Sequence, residues 1–117
     1  MMLLSKTNPD EKAKYYEELL DLRLEELEVL TSHKNEHQLI LPASLRYSTT
    51  AGEYTQLIKQ HDLKNYATRA RAQFASHTKV LKKLIATYPR KDVGDGGDVF
   101  IVDDVNYLII YEKELPR

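Results

Sequence analysis

A chain of 117 residues, 42% hydrophobic and 30% charged, is long enough for one domain with a modest core. It has no cysteine, which excludes disulfides, thiolate zinc sites and cysteine nucleophiles. The net charge of −1 hides a sorted distribution: residues 1–38 carry 5 Lys and Arg against 9 Asp and Glu, residues 39–91 carry 10 against 2, and residues 92–117 carry 2 against 7.

A basic middle between acidic flanks favours an anionic partner, a second copy, or contact between the protein's own parts. No apolar run reaches the ~20 residues of a membrane helix. Met1-Met2-Leu3-Leu4 gives way at once to Ser5-Lys6-Thr7-Asn8, so no secretory signal is expected and the chain reads as cytoplasmic, with no membrane partner.

The first helix is marked at its start. Asn8 is an N-cap, Pro9 suits the first helical position, and Asp10 and Glu11 complement the dipole. From there to about Ser32 nothing interrupts it. Glu17, Glu18, Asp21, Glu25 and Glu28 share an arc of about 100°, whereas the apolar residues spread over about 220°, wider than one neighbour requires. A second chain is one candidate for the additional contact.

Residues 33–37 read as a helix end or loop, and Gln38–Leu41 as a short extended piece stopped by Pro42. Thr50-Ala51-Gly52-Glu53 has the form of a capping box and predicts a short helix carrying Tyr54, Leu57 and Ile58. Asp62 or Asn65 would cap the next helix, over about 64–88. There Tyr66, Ala70, Phe74, His77, Leu81, Leu84 and Tyr88 step by three or four along one face, and Pro89 ends the run.

Residues 90–98 read as a flexible, glycine-rich link. Val99–Val102 and Tyr107–Tyr111 read as the two strands of a hairpin turning at Asp103–Asn106. The expected fold is therefore α+β and mostly helical. It is a single domain with one long acidic, one short and one long basic helix over 8–89, and a C-terminal β-hairpin over 99–112.

The basic helix is the leading candidate site. Lys64, Arg69, Arg71, Lys79, Lys82 and Lys83 fall roughly opposite its apolar face, over about 30 Å of axis. That length matches several phosphates: the arginines offer forked contacts and the lysines point charges. Glu53–Gln60, a break at 61–63 and the Lys64 helix have the lengths of a helix-turn-helix, with the hairpin as a wing. Against it stand the long second helix and Asp103 and Asp104, which phosphates repel.

His33 and His37 stand four apart without further nearby ligands, and Asp92, Asp95 and Asp98 lack the order of a calcium loop, so no metal or other cofactor is expected. No nucleophile–base pairing or nucleotide fingerprint appears, so no catalysis is expected. The sequence points to a small non-enzymatic binding or regulatory protein, of a size and plainness fitting a phage or mobile element. Its basic helix would contact DNA or RNA phosphates. The alternative is a protein-interaction module or homodimer that uses the acidic first helix and the basic third, with an acidic protein as partner.

Overall fold

The computed structural model describes residues 8–33, 38–88 and 97–117. Four helices account for nearly all of them: α1 (Pro9–Thr31), α2 (Ile40–His61), α3 (Lys64–Ala86) and α4 (Gly97–Glu114). There is no strand among the described residues, so the expected α+β fold with its C-terminal hairpin is replaced by a helical bundle.

The start of α1 follows its signals. The Asn8 carboxamide oxygen accepts the Glu11 amide at 2.9 Å, and Pro9 occupies the first turn, where its missing N–H has no intrahelical acceptor to lose. α3 also falls where its periodicity places it. Ala70, Phe74, His77 and Leu81 are buried on one face, with Tyr66 and Leu84 at its margins, and Tyr88 is buried just beyond the helix end.

α2 corrects two expectations. Pro42 starts rather than stops an element, because it lies in the first turn of a helix beginning at Ile40; no extended piece exists at 38–41. Thr50-Ala51-Gly52-Glu53 lies mid-helix. The Thr50 hydroxyl donates back to the Arg46 carbonyl at 2.9 Å instead of capping. Gly52 is there for packing: a Cβ at this position would stand 2.9 Å from the Tyr111 hydroxyl of α4. Asp62 ends α2 rather than starting α3. Its φ of 49° is left-handed, a conformation aspartate tolerates, and it lets Leu63 donate to the Ile58 carbonyl at 3.0 Å.

α4 is the largest correction. Read at helical period, Ile101, Asp104, Val105 and Leu108 form a single buried face, extended beyond the helix by Leu115. The β-branched residues that suggest strands yield to this tertiary docking. Residues 97 and 98, expected in the link, already belong to the helix, while 90–96 lie outside the described residues.

α2 packs on both α1 and α4, α4 packs on α3, and a smaller α1–α3 contact closes the ring. The four share one core, in which Tyr54 contacts Tyr16 and Phe74 with ring centroids 6.5 and 6.3 Å apart.

Candidate interaction surfaces

The six basic residues of α3 do not act together. Arg69 forms a fork with Glu17 of α1, its Nε and Nη2 donating at 2.9 and 2.6 Å, and that hydrogen-bonded carboxylate raises the already high guanidinium pKa. Arg71 donates from Nη1 to the Pro116 carbonyl at 3.0 Å. Lys64, Lys79, Lys82 and Lys83 are exposed and form no ion pair with a described residue. Lys79, Lys82 and Lys83 cluster within little more than one turn, with Lys64 about 22 Å away along the axis.

The Arg69–Glu17 fork begins a polar ladder that joins α3 to α1. Gln73 donates to the Glu17 carbonyl at 2.8 Å and to the Asp21 carboxylate at 3.0 Å. His77 follows one turn later, its Nε2 2.7 Å from Asp21 and its Nδ1 2.9 Å from the Tyr47 hydroxyl of α2. A carboxylate only accepts, so Nε2 carries the hydrogen, and in an uncharged ring Nδ1 then accepts from Tyr47. That is the neutral tautomer. It agrees with the lowered pKa of His77, whose burial outweighs the opposing pull of Asp21. Burial likewise raises the Tyr47 pKa, keeping its hydroxyl a donor. Part of the acidic face of α1 and part of the basic face of α3 are thus joined within one chain.

A second buried polar group lies between α2 and α4. Asp104 is 1% exposed; the Ser44 hydroxyl stands 2.8 Å from its Oδ2 and 3.1 Å from the Phe100 carbonyl, and Oδ1 has no partner. One hydroxyl hydrogen serves only one of these acceptors well. A protonated Asp104 resolves the shortage by donating to Ser44, which then donates to Phe100. Burial pushes the Asp104 pKa up to about 7, against the lowering effect of Ser44.

Besides Leu41 and Leu45 on α2, the surface groups exposed apolar side chains in two places. An open groove of about 360 Å³ runs between α1 and α2, with Leu22, Val29, Leu39 and Pro42 in its lining and Glu25 and Arg46 among its polar residues. The other is the outward side of α4, where Val99, Val102, Ile109 and Ile110 are 55, 39, 47 and 50% exposed. A hairpin reading conceals this surface. Its signal in the sequence is a second set of apolar residues, on the helix face opposite Ile101 and Leu108.

Among the described residues there is no cluster of metal-ligating side chains and no helix long and apolar enough to cross a membrane. His33 lies 2.7 Å from the Val29 carbonyl through Nδ1; His37, Asp92 and Asp95 fall outside the described residues. Of the acidic residues near the expected hairpin, Glu114 pairs with Lys59 at 3.3 Å. No protein-family model, curated protein or solved structure matches this chain.

Proposed function

We propose that this protein is a small helical interaction module whose contact surface is the outward face of α4. The observation that carries this reading is that α4 exposes Val99, Val102, Ile109 and Ile110 away from the face it buries in its own bundle. Exposed apolar side chains grouped on one helix face and rimmed by polar residues favour association. The acidic α1 and basic α3 contribute less than their charges suggest, because Glu17 and Arg69 neutralise each other within the chain.

A second reading, contact with nucleic-acid phosphates, is supported by Lys79, Lys82 and Lys83, exposed together on a helix that contains no acidic residue. Three clustered lysines supply a non-specific, salt-sensitive contact rather than sequence recognition.

A photoreactive diazirine amino acid placed at Ile110, and separately at Ser76 beside the lysines, tests both readings in the cells that make the protein. The interaction module requires a protein adduct from position 110, and its absence contradicts that reading. A nuclease-sensitive adduct from position 76 is what phosphate contact requires.

A further inference from the structure

The outward residues of α4 are ordered as well as apolar. Val99, Val102, Asn106, Ile109 and Lys113 are all exposed and step by three, four, three and four. This is the spacing of a seam at which one helix packs along another, within an arc of about 80°. Ile110 and Asp103 flank the seam, and Leu108 and Val105 remain in the protein's own core.

We infer that the seam binds a second copy of the chain, with the two α4 helices antiparallel about a twofold axis near Asn106. This rests on the α4 reading proposed above and names its partner. Three features select this occupant. First, Asn106 stands mid-seam, flanked by Val102 and Ile109. A polar residue there is costly against an apolar partner, but across a twofold axis its carboxamide meets its own copy, donor to acceptor.

Second, the charged residues are distributed along the helix. Asp103 lies before Asn106 and Lys113 after it. An antiparallel pairing brings Lys113 level with residue 99 of the other copy, and helical side chains lean towards their own N-terminus, which carries the ammonium along the pair towards the partner's Asp103, one turn further in. A parallel pairing would set lysine on lysine and aspartate on aspartate. Third, the Lys113 stem can cover the partner's Val99 while its charge stays wet.

A single helix pair sits at the small end of specific interfaces, so the dimer is weak and concentration-dependent.

The absence of native cysteine makes single-cysteine cross-linking a direct test. Asn106 and Lys113 are both exposed, so neither substitution disturbs the core, and circular dichroism confirms that each variant is folded. Under mild oxidation Asn106→Cys should form a disulfide-linked species of twice the 13.6 kDa chain mass. Lys113→Cys alone should not, because the two copies of position 113 lie about 20 Å apart in the antiparallel pair, far beyond disulfide reach. Mixing Lys113→Cys with Val99→Cys, which lie level in this register, should restore the link. Self-linking of Lys113→Cys as readily as Asn106→Cys overturns the antiparallel geometry. No linked species from any variant, with a wild-type mass that stays monomeric at high concentration, overturns the second copy as partner. In that case a protein adduct from position 110 leaves the interaction module standing with another partner, and no adduct removes both.

Discussion

Asp104 concentrates more chemistry than any other single side chain of the core. Its carboxyl is shut between α2 and α4, with one oxygen unpartnered and the other 2.8 Å from a Ser44 hydroxyl that also lies 3.1 Å from the Phe100 carbonyl. Burial there favours the neutral acid over the ionised one. A carboxyl whose pKa rises from 3.8 to about 7 on folding stabilises the fold while protonated; that contribution is complete below about pH 4 and is lost as the pH climbs through 7. Asp104→Asn removes the ionisation but keeps a donor for Ser44. It should raise the unfolding free energy at pH 8 by roughly 2–4 kcal/mol. Urea titrations of both proteins at pH 5 and pH 8 measure this, and equal stability at pH 8 would contradict a raised pKa for Asp104. His77 acts with the opposite sign. Its pKa is lowered by folding, so its contribution is complete above about pH 6.5 and declines as the medium turns acid. The sequence places His77 on the apolar arc of its helix, but its partners, 56 and 30 positions away in Asp21 and Tyr47, are tertiary facts that no local pattern encodes.

At the scale of elements, α1 is legible because an Asn8 cap, Pro9 and first-turn acids mark its start, and α3 because its apolar residues keep helical period; α3 has no side-chain cap, and its N-cap position is Leu63. α2 is misread through two local signals with double meanings. Proline stops a strand but starts a helix, and the threonine and glutamate of a capping box also occur mid-helix when the hydroxyl bonds backwards. α4 fails for a different reason. Its apolar residues occupy both faces, so neither period 2 nor period 3.6 stands out, and Asp103–Asn106 imitates a turn. Asp103→Pro separates the alternatives, since the side chain is exposed and only the backbone is challenged. In the interior of α4 the substitution should cost about 3 kcal/mol or more, whereas a hairpin turn would accept proline there at little cost. A denaturation midpoint within error of the wild type would contradict the helix.

The whole molecule measures 46 × 30 × 15 Å between backbone extremes. Helices packed 8–10 Å apart fill the short dimension with two layers, so each has one inner side and one outer side. The charge blocks visible in the sequence are partly resolved inside this body: Glu17 and Asp21 of the acidic flank meet Arg69, Gln73 and His77 of the basic middle. What stays open includes the lysines of α3 and two apolar surfaces, the α1–α2 groove and the outer side of α4, and these two compete as the surface of pairing. Hydroxyl-radical footprinting of the full chain, dilute and then concentrated, distinguishes them residue by residue. Protection at high concentration should be confined to Val99, Val102, Ile109 and Ile110. Labelling of those four that is unchanged by concentration, or protection that falls instead on Leu22, Val29 and Leu39, would contradict α4 as the surface through which the chain pairs.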